Sequence, residues 1–344
     1  MYNDIDMSEE NKVLNSKILS TIMCLLIFIL GLISGLLLKP ESNKPSDVAL
    51  DELRLKENYN YINPLLECDA NISNFKHTPK IKAQVEEYIQ DRVDAGKIDD
   101  AAVYYRDLNN GPWFGIKEDT LFTPASLTKV PLMMSFLKKA ELNPNLLKTK
   151  LLIPEDLAIP TQQTFNTPAS KLMRGKEYTI DTLIRHMIIY SDNTAYLVLK
   201  SSLADGEFHQ IFEDFGIDTR QLRESKSSDV LSIREYSSFF RILYNSSYLN
   251  RKNSEKALKL LSETKFNSGL VAGIPDVTIA HKFGERFYED SNEKQLHDCG
   301  IVYLKGSPYL ICIMTRGSSF NELSTVIKNI SSIVHSELKN QLAE

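Results

Sequence analysis

Strand-like patterns occupy only the two ends of the folded part of this chain, and helical patterns fill the middle. "DDAAVYYRDL" alternates as a strand, Asn109–Gly111 supplies a turn, and "PWFGI" returns as its partner. Three further strands, "VTIAHKFGE", "LHDCGIVYL" and "YLICIMTRG", come only near the C-terminus. Elsewhere apolar residues recur at helical spacing. Ile81, Val85, Tyr88, Ile89 and Val93 precede the hairpin, and Val130, Met133, Met134 and Leu137 follow it. Ile233, Tyr236, Phe240 and Leu243 mark a helix further on, and Leu323, Val326, Ile330 and Val334 mark the last one. Strands from both ends must meet in one sheet. The expected fold is therefore α+β: one antiparallel sheet with terminal helices on one face and an all-helical insert, about 125–265, on the other.

One segment departs from an ordinary globular balance. Ile18 to Leu38 runs 21 residues without a charge. As a helix it spans roughly 30 Å, the depth of a bilayer core. A cleaved signal peptide is the rival reading, but its apolar region is usually shorter, and no clean Ala-x-Ala site follows here. The chain thus reads as a polar tail (1–17), a transmembrane helix (18–38), a stalk with Pro40 and Pro45 (39–58) and one folded domain (59–344). Gly31 and Gly35 are spaced for helix approach in a membrane, although a lone span tolerates the same spacing. The net charge of −5 offers no basic face for nucleic acid. The six histidines and four cysteines form no metal-binding spacing, so neither metal nor cofactor is expected. Cys299 and Cys312 fall on neighbouring strands, but their register is open.

Three short motifs carry the chemistry, in this order. Ser126 and Lys129 lie in "TPASLTKVPLMM"; Ser191, Asp192 and Asn193 lie in "YSDNTA"; Lys282 opens "KFG". A serine hydroxyl is a weak nucleophile and needs a base within hydrogen-bond reach. Residues three apart share a helix face, so Lys129 can reach Ser126. Lys129 must then be partly neutral, which burial or the charge of Lys282 could arrange. Backbone N–H groups at Ser126 and near Glu285 could stabilise an oxyanion. Each motif alone has a bland reading: a helix cap with a solvated lysine, a turn, a strand end. Together they describe a serine enzyme that opens amides through an acyl-enzyme.

The ordered set resembles the serine β-lactamase and penicillin-binding protein superfamily, most closely its class A β-lactamase-like branch, over roughly 60–344. The resemblance implies a five-stranded sheet with helices on both sides. It implies Ser126 as nucleophile and Lys129 as general base or proton relay. Ser191 would pass a proton to the leaving nitrogen, Asn193 would hold the substrate amide, and Asp192 would buttress the loop. Lys282 would hold the substrate carboxylate, beside Phe283, Gly284 and Glu285 on the same strand. The N–H groups of Ser126 and Glu285 would form the oxyanion hole.

Two departures separate this chain from the family pattern. Phe283 stands where a threonine or serine hydroxyl is usual, so it cannot donate to a carboxylate. The glutamate that activates the deacylating water has one match, Glu224 in "TRQLRESKSS", and Ser228 replaces the asparagine expected four residues on. A solvated loop carboxylate is the bland reading of Glu224. The resemblance implies a membrane-anchored hydrolase of β-lactams. The alternatives are a D,D-carboxypeptidase or transpeptidase acting on peptidoglycan stems that end in D-Ala-D-Ala, and a non-catalytic wall-binding or sensor module. The lysines flanking the span nearly balance. Those substrates, rather than charge, put the catalytic part on the extracytoplasmic side of the cell membrane.

Overall fold

The computed structural model describes residues 21–23, 25, 26, 28, 29, 53, 54, 59–67, 78–109, 111–158, 164, 165, 172–218 and 230–343. The chain divides into two compact units, Met1–Val48 and Ala49–Glu344. In the first, the described residues between 21 and 29 are helical. Most of the expected span 18–38 lies outside the described residues, and among those described no helix is long and apolar enough to cross a membrane.

The second unit begins with a short ladder of β1 (Leu53–Arg54) and β2 (Leu65–Glu67). Helix α1 (Thr78–Asp94) and the hairpin β3 (Asp100–Asp107) and β4 (Trp113–Ile116) follow. After β5 (Leu121–Phe122), a 3₁₀ turn (Ala125–Thr128) runs into α2 (Lys129–Leu142). Next come β6 (Lys150–Leu152), β7 (Glu177–Thr179), α3 (Ile180–Ile189), α4 (Asn193–Ser201) and α5 (Glu207–Asp214). Strand β8 (Leu231–Ser232) leads to α6 (Ile233–Asn245) and α7 (Arg251–Ser262). The chain closes with α8 (Leu270–Gly273), β9 (Ile279–Phe287), β10 (Lys294–Val302), β11 (Tyr309–Gly317) and α9 (Phe320–Ala343).

The main sheet is antiparallel, in the order β4–β3–β11–β10–β9. The N-terminal hairpin and the three C-terminal strands meet at the β3–β11 seam, where Val103 faces Ile313. Alternation along the strands feeds two cores. Val103, Tyr105, Ile311 and Ile313 pack with Ile81 and Val85 of α1 and with Val326 and Ile330 of α9. Ala102, Tyr104, Cys312 and Met314 join Met133, Ile184, Tyr236 and Phe240 on the other face. Each fully buried Val, Ile, Met or Phe among these stabilises the fold by roughly 1.5–3 kcal/mol. The layers thus follow the sequence pattern, with one correction. The middle of the chain is not all helical, because β6 pairs with β7 and β8 pairs with β5. These ladders are only two or three residues long, too short for an alternation signal.

Cys299 and Cys312 prove to be direct cross-strand partners, both buried and both free thiols. Pro131 lies three residues into α2, which continues directly from the 3₁₀ turn; it has no N–H to offer Leu127 O, and that carbonyl accepts from Tyr236 Oη instead. Helix α6 starts with a reciprocal cap, in which Ser232 and Glu235 satisfy each other's backbone N–H. Such a cap contributes about 1 kcal/mol.

Candidate active site

Ser126 sits in the 3₁₀ turn and Lys129 at its end. A 3₁₀ helix repeats every three residues, so the two side chains eclipse more closely than on an α-helix. The turn is held from three sides. Its lead-in residue Thr123 donates its N–H to Gln295 Oε1 at 3.0 Å, and its carbonyl accepts from His297 Nε2 at 3.0 Å. Tyr236 Oη donates to Leu127 O at 3.1 Å from the helical side. On the strand side a Cβ at Gly284 would stand 3.1 Å from Pro124 O and Leu127 Cγ, so β9 approaches this closely because residue 284 is glycine. Ala125, just before Ser126, takes a φ of 45°, a left-handed conformation that costs a non-glycine residue about 1 kcal/mol or more.

The Ser-Asp-Asn segment joins α3 and α4 as the sequence indicates. Asp192 caps α4 by accepting from Ala195 N at 3.0 Å. Ser191, at φ 55°, is turned inward and fully buried. This brings the three motifs together at Ser191 Oγ. Lys129 Nζ lies 2.9 Å from Ser126 Oγ, 3.0 Å from Ser191 Oγ, 2.6 Å from Ser191 O and 2.7 Å from Asn193 Oδ1. Lys282 Nζ donates to Ser191 Oγ at 2.9 Å and to Phe283 O at 2.8 Å.

Four partners exceed the three protons of an ammonium. Two of them, Ser191 O and Asn193 Oδ1, can only accept. A neutral amine donates to those two and keeps a lone pair for a hydroxyl proton, which is what deprotonating Ser126 requires. The electrostatics agree. Burial lowers the Lys129 pKa to about 7, against the opposing pull of Asp192 and Glu285. The shift thus comes from burial and not from Lys282, the other source that the sequence left open. Lys282 is fully buried and is pushed well below the usual lysine range, by desolvation first and the Lys129 charge second. Ser126 itself stays half-exposed and reachable.

The remaining candidates divide. Phe283 does not offer its ring to a substrate. It is fully buried, stacks on Phe266 at 4.2 Å and has Lys282 Nζ 4.2 Å from its ring centroid. A strand places neighbours on opposite faces, so a site that uses Lys282 turns Phe283 toward the terminal-helix core. Glu285 carries a role that sequence reasoning missed. Its carboxylate accepts from Thr164 N and Phe165 N at 3.1 and 3.3 Å, and burial raises its pKa. Glu224 lies outside the described residues. Gln295 and His297 were missed as well. The available signal was two polar residues at alternate positions of a strand, where one face is shared by both. Among the described residues no cluster of histidine, cysteine or carboxylate could hold a metal.

The sheet, the helical layers and this serine–lysine cluster define the serine β-lactamase and penicillin-binding protein superfamily. The profile of the Beta-lactamase enzyme family matches residues 84–338, and the chain belongs to that family. Among solved structures, PBP-A is 22% identical with a TM-score of 0.64, covering 76% of this chain and 96% of its own. A β-lactamase from Chitinophaga pinensis DSM 2588 is 18% identical with a TM-score of 0.63, covering 74% of this chain and 99% of its own. A class A β-lactamase from Mycobacterium abscessus is 18% identical with a TM-score of 0.62, with the same coverages. At these identities the likeness concerns the fold. Comparison with curated proteins finds no match.

Proposed function

We propose that this protein is a serine hydrolase that opens the amide of a β-lactam through an acyl-Ser126 intermediate. The observation that carries this reading is Lys129 Nζ, buried and held near pKa 7, at 2.9 Å from Ser126 Oγ. Lys129 takes the Ser126 proton as Oγ attacks the carbonyl carbon. The N–H groups of Ser126 and Glu285 receive the oxyanion. Collapse breaks the C–N bond, and Ser191, bridged between Lys129 and Lys282, passes a proton to the leaving nitrogen. Asn193 orients the substrate amide, and Lys282 serves the substrate carboxylate as a hydrogen-bond donor without a neighbouring hydroxyl to help. Water then cleaves the ester. Residues 18–38 tether the chain to the cell membrane, with the catalytic part on the extracytoplasmic side, a reading supported by the uncharged run and by where such substrates occur.

A second reading, a D,D-peptidase acting on peptidoglycan stems, shares every step up to the ester. It is favoured by the state of the described carboxylates that bear on Lys129. Asp192 caps a helix and Glu285 binds two backbone N–H groups, so neither is free to activate water. PBP-A, similar in fold, includes a variant solved as an acyl-enzyme complex with penicillin G. Timed intact-mass measurement with a penicillin separates the readings. A transient adduct with accumulating hydrolysed drug supports the hydrolase. A persistent adduct, with D-Ala released from model peptides, supports the peptidase. No adduct at any time sinks both.

A further inference from the structure

The edge of the sheet opposite β9 carries a second convergence of cations. A cavity of about 640 Å³ opens there between β3, β4, α6 and the turn after α5. Its size suits a small-molecule ligand. Arg106 of β3 and Arg234 and Arg241 of α6 line it. Arg241 is half-buried, and both burial and the Arg106 guanidinium disfavour its charge. The two carboxylates of the cavity have partners other than Arg106 and Arg241. Asp119 lies 3.8 Å from Arg234, and Glu235 accepts from Ser232 N and Oγ at the head of α6. Among the described residues no carboxylate pairs with Arg106 or Arg241.

A guanidinium cannot shed its proton, so two of them in one cavity repel each other until an anion arrives. The rest of the lining indicates what carries that anion. Trp113 stacks on Tyr104 with ring centroids 5.7 Å apart, which gives the cavity an aromatic wall. The Ser237 and Ser238 hydroxyls donate to helix carbonyls at 2.8 and 2.6 Å, and their lone pairs remain to accept from hydroxyl groups of a ligand. A second cavity of about 560 Å³ lies around the β4 edge and shares Arg106 and Trp113, with Lys82 and Glu118 also in its lining.

We propose that this cavity is a binding site for a hydroxyl-rich ring bearing an oxyanion, a sugar phosphate or a sugar carboxylate, held by Arg106 and Arg241 against Trp113. The site is separate from Ser126 and does not depend on acylation chemistry.

Trp113 is the sole tryptophan of the chain, so intrinsic fluorescence reports on the cavity directly. The full chain is titrated with glucose 1-phosphate, glucuronate, inorganic phosphate, glucose and a triglutamate peptide. The expected result is a saturable change with at least one sugar anion, the tighter of the two identifying the oxyanion. Affinity should fall at least tenfold in Arg106→Gln and in Arg241→Gln, and stay unchanged in Ser126→Ala. Circular dichroism checks that each variant folds; if Arg241→Gln does not, Arg106→Gln decides. The proposal is overturned if neither sugar anion gives a saturable change, or if folded arginine variants bind like the native chain. Equal binding of glucose, inorganic phosphate or the peptide overturns it as well.

Discussion

At the β9 edge of the sheet two lysines converge on Ser191 Oγ, from 3.0 and 2.9 Å. At the β4 edge three arginines line one cavity, two of them, Arg106 and Arg241, with no carboxylate partner among the described residues. Both edges crowd like charges, yet the outcome depends on which cation is crowded. An ammonium yields its proton when it is desolvated, and burial leaves Lys129 near pKa 7, about half neutral at physiological pH. A guanidinium keeps its charge under the same pressure. Burial therefore favours a neutral base at one edge, whereas crowding at the other leaves charges that only an anion can offset.

The largest effect should come from removing the acceptor of the acyl group: Ser126→Ala abolishes the covalent adduct in intact-mass spectra. Persistence of an undiminished adduct would overturn the nucleophile assignment. Lys129→Arg imposes the chemistry of the β4 edge on the β9 edge. A fixed charge cannot accept the Ser126 proton, so acylation should slow about 10²–10⁴-fold in stopped-flow measurements. Native-like rates would break the comparison between the two edges.

His297 makes a prediction about stability. Burial lowers its pKa to about 4 from an ordinary 6.5, so the folded state binds the proton less tightly than the unfolded one. Its contribution is fully present above pH 6.5 and is lost as pH falls toward 4. The loss should be about 3 kcal/mol, read by denaturant unfolding at the two pH values. His297→Gln should flatten that part of the pH dependence. A slope equal to the native one would assign the acid sensitivity elsewhere.

Acylation should also track the neutral form of Lys129. The rate should fall about tenfold per pH unit well below pH 7 and level off above it. The smallest effect sharpens the cause. The Glu285 carboxylate favours the Lys129 ammonium, so Glu285→Gln should move the midpoint of that profile downward by less than about one unit. An upward move would show that Glu285 acts on the site in another way.

Much of this was legible in the sequence, for identifiable reasons. The long strands and helices follow periods of two and 3.6, and the three candidate motifs sit on or between the elements that those periods indicate. The β6–β7 and β5–β8 ladders were not legible because two or three residues carry no period. Phe283 was read as a substitution within the site, although alternation with Lys282 already turned its ring toward the other core. The clamp on Thr123 was hidden for a different reason. Gln295 and His297 satisfy backbone groups far away in sequence, and a single chain of letters does not say which ones.

The β3–β11 seam also sets an order of events. Residues 100–107 wait for residues 309–316 before the centre of the sheet can form. Closing so long a loop is entropically costly and slow. The turn bearing Ser126 rests on Gln295 and His297 of β10, the strand next to that seam. A chain still emerging from the ribosome therefore carries Ser126 early, while the strand contacts that hold its turn in place come last.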